Sequence, residues 1–173
     1  MLKSRANLIV NGKLDREATS AELRRSIDAL LGKARFELAY DVRATEETPA
    51  AALENPEILV IFRGRDLDLL LEHNAELLKA LEYIALRSIR LDPQFYDRIR
   101  FDAGGYRALR IEELKLSARV AAERVRETHA PFRFNAMTAQ ERRILHLVLK
   151  EESGVRTASE GAGEERQVIV HPA

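Results

Sequence analysis

The apolar residues of the first hundred positions switch repeatedly between two spacings, and the order of the switches limits the fold. Spacings of three or four residues, typical of amphipathic helices, occur at 20–31, 66–71 and 75–90. Alternating or continuous apolar runs, typical of strands, occur at 36–42, 58–62 and 99–101. The order helix, strand, strand, helix, helix, strand predicts a compact α+β module over residues 18–103.

Short-range signals mark the expected helix ends in this module. Thr19 and Ser20 are residue types that commonly precede a helix, and Gly32 is typical of the position after one. His73 and Asn74 interrupt the apolar period and predict a break between two helices. We expect residues 1–17 to form an N-terminal extension of this module.

A second module is predicted over residues 104–173, after the turn sequence Asp102-Ala-Gly-Gly. A helical apolar period continues to about His129 and predicts a long first helix. Thr138 and Glu141 have the spacing of a capping box, which predicts that a second helix starts at Thr138 and runs to about Lys150. Two alternating segments at 155–159 and 167–171 predict a closing hairpin, so this module combines helices with a small antiparallel sheet.

The composition excludes several classes of protein. The chain has no cysteine, which rules out disulfides and zinc-thiolate sites and fits a reducing cytoplasm. No apolar stretch is long enough for a membrane span, and the N-terminal segment lacks the apolar region of a signal peptide. We therefore expect a cytoplasmic protein without a membrane span.

Motifs of catalysis and of cofactor binding are missing from the sequence. Its four histidines lie on separate predicted elements without metal-ligand spacing, at His73, His129, His146 and His171. The glycine pairs do not match phosphate-binding loops, and the adjacent glutamate pairs would not face each other on a helix. We expect no metal, no cofactor and no enzymatic activity.

The charge pattern is informative only when the halves are separated. The whole chain carries 28 basic and 28 acidic residues, for a formal net charge of zero. Residues 84–173 have an excess of basic side chains, most of them arginine, whereas residues 1–83 have an excess of acidic ones. Because arginine can bind phosphate in a forked geometry and stack on a base, this distribution favours a basic second module.

Arg142 and His146 lie four residues apart on the second helix of that module, so they share one face. Arg143 and Lys150 lie beside them, and the opposite side is apolar. Such an edge can approach a phosphate backbone, with His146 adding a hydrogen bond or a stacking contact. By spacing alone, an ordinary structural role of the Arg142–His146 pair is the alternative.

The sequence around this pair resembles a known family. The segments Met137-Thr-Ala-Gln-Glu-Arg-Arg-Ile-Leu-His146 and Glu152-Ser-Gly-Val-Arg-Thr-Ala-Ser-Glu-Gly-Ala-Gly163 are similar to the R-3-H domain, named for an arginine and a histidine separated by three residues. The preceding helix is similar to that of the bacterial Jag proteins, also called KhpB or SpoIIIJ-associated proteins. The resemblance implies single-stranded nucleic-acid binding by Arg142 and His146, with rim contacts from Arg143, Arg156, Ser159 and Arg166.

The first module resembles the type II KH domain of the same family in its order of elements and in the segment Arg63-Gly-Arg-Asp-Leu-Asp-Leu-Leu-Leu71. It departs from the family at the Gly-x-x-Gly loop that clamps nucleic acid, where this chain has Glu72, His73, Asn74 and Ala75. The missing glycines and the charge of Glu72 predict that this loop does not bind RNA by the usual route. The small N-terminal domain that many Jag proteins carry is expected to be missing.

We therefore expect a protein that binds single-stranded nucleic acid, RNA more than DNA, mainly through its phosphates. The degenerate KH-like module would then serve as a scaffold or dimerisation surface, with another KH-domain protein or a second copy as partner. The alternative function is a protein–protein interaction adaptor without nucleic-acid binding. Crowding of the Arg142 face by Glu141, Glu151 and Glu152 would favour that adaptor.

Overall fold

The computed structural model describes residues 7–45, 53–54 and 56–173. The chain divides into two compact units, Met1–Tyr106 and Arg107–Ala173, which we call the first and the second unit. Both combine helices with a small sheet, so the predicted α+β class is confirmed. In the part of the chain that is described, no helix combines the length and the apolar character needed to cross a membrane.

In its described residues, the first unit contains a two-stranded hairpin, two α-helices, a 3-10 helix and a three-stranded sheet. In chain order its elements are β1 (Ile9–Val10), β2 (Lys13–Leu14), α1 (Arg16–Ala34), β3 (Leu38–Ala44), β4 (Ile58–Gly64), α2 (Leu67–Ser88), a 3-10 helix (Pro93–Arg98) and β5 (Ile99–Ala103). The sheet order is β3-β4-β5, with β3 antiparallel and β5 parallel to β4. The helix α2 makes the crossover that a parallel pair of strands requires.

The order of elements predicted for residues 18–103 is confirmed, but both predicted ends of the first helix are wrong. The helix α1 begins four residues earlier than Ser20, because the carboxylate of Asp15 accepts a hydrogen bond from the Ala18 N–H at 2.9 Å and acts as the N-cap. Thr19 is a buried residue inside the helix. At the other end the helix continues through Gly32 and stops at Arg35, which adopts the left-handed conformation with φ of 57°.

The β1–β2 hairpin was not predicted, although Asn11-Gly12 is a typical sequence for a tight hairpin turn. It lies within residues 1–17, the predicted extension. Leu14 of this hairpin and the preceding Leu8 are buried in the same hydrophobic core as α1, α2 and the sheet. These two side chains therefore contribute to the packing of the first unit.

The predicted break between the two helices of residues 66–90 is confirmed at 72–75. Glu72 is extended, and His73, Asn74 and Ala75 follow one another in the left-handed conformation, with φ between 51° and 59°. Ala75 is completely buried, whereas the three residues before it are exposed. The Tyr106 hydroxyl donates a hydrogen bond of 2.9 Å to the Asn74 carbonyl and so holds the loop.

The second unit has two helices and a three-stranded antiparallel sheet. Its elements are α3 (Tyr106–Thr128), β6 (Phe132–Arg133), α4 (Ala139–Lys150), β7 (Val155–Glu160), a 3-10 turn (Gly163–Glu165) and β8 (Gln167–Pro172). The sheet order β6-β8-β7 contains the predicted β7–β8 hairpin and adds β6 as a third strand. Its core joins the buried face of α3 with that of α4 and with β8: Leu114, Ala118, Ala122, Val125, Leu145, Leu149, Val168 and Val170.

Candidate nucleic-acid interface

The position of α4 is fixed by the capping box that the sequence predicted. The Glu141 N–H donates to the Thr138 hydroxyl at 3.3 Å, and the Glu141 carboxylate accepts from the Thr138 N–H at 3.0 Å. The other Glu141 oxygen accepts from the Arg110 side chain of α3 at 2.8 Å. The Glu141 carboxylate is therefore buried and fully engaged with the helix start and with α3.

Arg142, the next residue, extends to the segment between β6 and α4. Its Nη1 donates a hydrogen bond of 2.8 Å to the Met137 carbonyl, and the Met137 N–H donates to the Arg166 carbonyl at 3.2 Å. This chain of contacts brings the start of β8 to the N-terminal end of α4. Burial, and then the positive charge of Arg166, lower the pKa of the Arg142 guanidinium.

Arg142 and Arg166 therefore lie close enough for their charges to interact. Within the described side chains of the second unit, no carboxylate forms an ion pair with Arg142 or Arg166. Arginine stays protonated in proteins, so the two charges repel each other in the free protein. A phosphate placed between them would remove this repulsion and accept charge-assisted hydrogen bonds.

His146, one turn further along α4, is bonded through both of its ring nitrogens. Its Nδ1 lies 2.7 Å from Thr157 Oγ1, and its Nε2 lies 2.8 Å from Ser159 Oγ. Thr157 and Ser159 alternate on β7 and therefore project from the same face of the sheet. Burial, and then the charge of Arg142, lower the pKa of His146 below that of a free imidazole and so favour the neutral ring.

The site residues predicted from the sequence fall into three groups. Arg142, His146, Ser159 and Arg166 converge at one end of the sheet through the contacts just described. Arg143 and Lys150 are exposed and seven residues apart, so they share the side of α4 adjoining Arg142 and His146. Arg156 alternates with Thr157 and projects from the opposite face of the sheet, away from His146.

The carboxylates that could have crowded this surface are mostly turned elsewhere. Glu141 is engaged with Thr138 and Arg110, and Glu152 accepts a hydrogen bond from the Arg126 side chain of α3 at 3.2 Å. Glu151 is exposed just beyond the last residue of α4. Neither Glu141 nor Glu152 therefore forms an ion pair with Arg142.

Thr157 and the Met137 carbonyl are parts of the site that the sequence analysis missed. The hydroxyl residues Thr157 and Ser159 sit at i and i+2 of a predicted strand, which is the spacing that places two side chains on one face. That spacing predicts that the two hydroxyls lie on one face of the strand, but it does not predict which helix packs against that face. Among the described residues, no group of histidine and carboxylate side chains is arranged to hold a metal ion.

Comparisons with known proteins match the part of the chain that contains these residues. Residues 112–172 match the model of the R-3-H domain. The RNA-binding protein KhpB of Clostridium symbiosum is 30% identical over 114 residues, which cover 66% of this chain and 51% of that protein. KhpB of Bacillus subtilis is 29% identical over 109 residues, covering 62% of this chain and 52% of that protein.

The chain spans about half the length of the curated relatives it matches. Each alignment is longer than the segment matched by the domain model, so the similarity to KhpB extends beyond the R-3-H domain. The chain is therefore similar to the KhpB proteins over about two thirds of its length, and its residues 112–172 match the R-3-H domain.

Proposed function

We propose that this chain binds single-stranded nucleic acid, RNA in preference to DNA, through a surface on its R-3-H domain. The surface consists of Arg142 and His146 on α4, Ser159 on β7 and Arg166 before β8, with Arg143 and Lys150 at its border. The observation that carries the proposal is that Met137 contacts both Arg142 and Arg166, while no described carboxylate of the second unit forms an ion pair with either arginine.

Phosphate groups are the ligand that this arrangement fits best. The guanidinium group donates several hydrogen bonds in a fixed plane and matches the oxygens of a phosphate. Arg143 and Lys150 extend the cationic surface along α4, where the neighbouring phosphates of a strand would lie. Binding by such contacts releases counterions, so the affinity should fall as salt is added.

The preference for RNA rests on the relatives, both of which are named as RNA-binding proteins. The chain itself has few aromatic residues, 6% of the total, and no tryptophan. Stacking platforms that hold many successive bases are therefore not expected, and we expect modest sequence specificity.

The activity that we propose is binding without a chemical step. Ser159 and His146 lie at the distance of a nucleophile and its general base. The second partner of the imidazole, however, is the neutral hydroxyl of Thr157, where hydrolases of this type place a group that orients and charges the ring. The depressed pKa of His146 also makes the ring a weak base.

For the first unit we propose a KH-like domain, residues 18–103, whose nucleic-acid loop is inactive. The loop Glu72-His-Asn-Ala75 lies between the two halves of α2, the position of the Gly-x-x-Gly loop in the family that the sequence resembles. It keeps a left-handed backbone without glycine, and the exposed carboxylate of Glu72 would face an incoming phosphate. The unit would then act as a scaffold or as a surface for a partner.

A protein-interaction function is the second candidate, and exposed apolar side chains favour it. On α3, Leu109, Leu116 and Val120 are 55% to 66% exposed and share the side of the helix opposite its buried face. On α2, Tyr83 and Ile84 are also exposed. A second copy or another KH-domain protein could cover one of these faces, whereas Arg142 and Arg166 have no role in such contacts.

A titration of labelled single-stranded RNA and DNA followed by fluorescence anisotropy tests the proposed function. The parent protein should bind, and the double variant Arg142→Ala/His146→Ala should bind much more weakly. Arg119→Ala is the matched control, because this exposed arginine lies on α3, outside the proposed surface. Absence of binding by the parent to either strand would favour the protein-interaction function.

A further inference from the structure

We infer that His146 positions the Ser159 hydroxyl as a phosphate donor and makes no hydrogen bond to nucleic acid itself. The inference rests on the proposed function and concerns the same surface. It differs from the expectation from the sequence, in which the imidazole contacts the ligand directly. Its basis is the use of both ring nitrogens within the protein, at 2.7 Å from Thr157 Oγ1 and 2.8 Å from Ser159 Oγ.

A neutral imidazole has one N–H donor and one nitrogen acceptor. One of the two hydroxyls must therefore donate its proton to the ring, and the other must accept a proton from it. The hydroxyl that accepts keeps its own proton for another acceptor. Among the described residues, neither hydroxyl has a hydrogen-bond partner besides His146. One hydroxyl proton is thus left without an acceptor among the described residues.

The position of the two hydroxyls on β7 shows which of them could donate to a phosphate at the two arginines. Ser159 pairs in register with Val168, two residues from Arg166, whereas Thr157 pairs with Val170. Two residues along a strand correspond to about 6.6 Å, so Ser159 lies nearer to the Arg142–Arg166 pair. A phosphate held by the two guanidinium groups would then have the Ser159 hydroxyl, and not the Thr157 hydroxyl, within reach.

The arrangement requires the tautomer of His146 that carries its proton on Nε2. The Nε2–H then donates to Ser159 Oγ, the Thr157 hydroxyl donates to Nδ1, and the Ser159 proton points to the phosphate. His146 is in this sense a positioning residue. It orients the neutral Ser159 hydroxyl beside the two arginines, while both of its own ring nitrogens stay hydrogen-bonded to side chains of β7.

The tautomer can be measured in the free protein. Nitrogen-15 NMR of the full chain labelled at histidine distinguishes a protonated Nε2 from a protonated Nδ1 at pH 7.5. We expect protonated Nε2 for His146. A protonated Nδ1 would leave the free proton on Thr157 and would overturn the inference, irrespective of whether the protein binds RNA.

Binding measurements test the role of the hydroxyl with matched variants. The probe is a labelled oligouridine single strand, and circular dichroism checks that each variant is folded. Loss of a hydrogen bond to a charged group corresponds to a decrease in affinity of about tenfold or more, which we expect for Ser159→Ala. Thr157→Val removes the hydroxyl that lies further from the two arginines. This variant should weaken binding by less than about threefold, because it changes only the orientation of the imidazole ring.

The double variant Ser159→Ala/His146→Phe separates positioning from direct contact. His146→Phe keeps an aromatic ring and removes both nitrogens. If His146 acts through Ser159, the double variant should bind as weakly as Ser159→Ala alone, whereas independent contacts would give losses that multiply. Parent-like affinity of Ser159→Ala overturns the inference and leaves the proposed function standing; failure of the parent to bind overturns the proposed function.

Discussion

Arg110 on α3 donates a hydrogen bond of 2.8 Å to the carboxylate of Glu141 on α4, and this ion pair lies next to the arginine that carries the proposed site. Glu141 also completes the capping box with Thr138. One carboxylate therefore starts α4, ties it to α3 and is withdrawn from Arg142. The cationic character of the surface thus depends on the way the helix begins.

Substitution of the N-cap should destabilise the second unit. Thr138→Ala removes the oxygen that accepts from the Glu141 N–H, and the loss of such a cap costs about 1 kcal/mol of folding free energy. Urea denaturation followed by circular dichroism would measure it. Thr138→Ser keeps the hydroxyl and should have nearly the stability of the parent. Equal stability of the alanine and serine variants would contradict the role of this cap.

The stability of the protein should fall on mild acidification because of His146. Its pKa is lowered in the folded state by burial and by Arg142, so the unfolded chain binds a proton first. The contribution of this group is fully present above the unfolded pKa of about 6.5 and is lost as the pH falls through the folded pKa. The charged group that acts on the imidazole ring is Arg142 of α4. The partners of the ring on β7 are the neutral hydroxyls of Thr157 and Ser159.

A comparison of the parent with His146→Gln measures this contribution. Free energies of unfolding would be obtained in urea at a pH near 7.5 and at a pH near 5.5. The parent should lose more stability between the two than the variant, which has no titrating ring at this position. An equal loss in both proteins would mean that other groups cause the acid sensitivity.

Arg156 and Arg166 should differ in their importance for binding. Arg166 lies close to Arg142, whereas Arg156 projects from the opposite face of the sheet. Arg166→Ala should therefore weaken the binding of a short single-stranded RNA by about tenfold, the loss expected for a charge-assisted hydrogen bond. Arg156→Ala removes the same charge and should have a much smaller effect. The reverse ranking in an anisotropy titration would exclude the proposed surface.

The left-handed loop in the first unit predicts an unusual response to glycine. His73 is exposed and has φ of 51°, a conformation that costs a non-glycine residue about 1–2 kcal/mol. His73→Gly should relieve this cost, although the greater entropy of glycine in the unfolded chain offsets part of the effect. The free energy of unfolding should therefore rise by up to about 1 kcal/mol.

Ala80→Gly provides the control for this prediction. Ala80 lies in the interior of the helical part of α2 that follows the loop. Glycine in a helix interior is destabilising by about 0.5–1 kcal/mol, so the two substitutions should change the free energy of unfolding in opposite directions. Destabilisation by both would mean that the histidine conformation is not strained.

The elements that the sequence predicted correctly are those specified by nearby residues. The start of α4 follows from Thr138 and Glu141, three residues apart, and the break in α2 follows from His73 and Asn74. The predicted start of α1 was wrong because several residues near it could act as the N-cap, and Asp15 does so instead of a residue next to Ser20. Gly32 is compatible with a helix interior, at a small cost, and does not end the helix.

The candidate site was predicted in part for the same reason. Arg142 and His146 belong to one helix, and their shared face follows from helical geometry alone. The contacts of His146 with Thr157 and Ser159 depend on how α4 packs on β7, and the position of Arg166 depends on the register of β8. Such long-range contacts depend on the packing of the unit, so no short sequence pattern predicts them.

The salt dependence of RNA binding tests the central claim most directly. Affinities of the parent, Arg142→Ala/Arg166→Ala and Arg119→Ala for a labelled single-stranded RNA would be measured over a range of salt concentrations. Each phosphate contact in a single strand contributes about 0.7 to the slope of log affinity against log salt. We predict that the double variant binds more weakly with a shallower slope, and that Arg119→Ala matches the parent. An unchanged affinity and slope in the double variant would contradict the assignment of this arginine pair as the phosphate site.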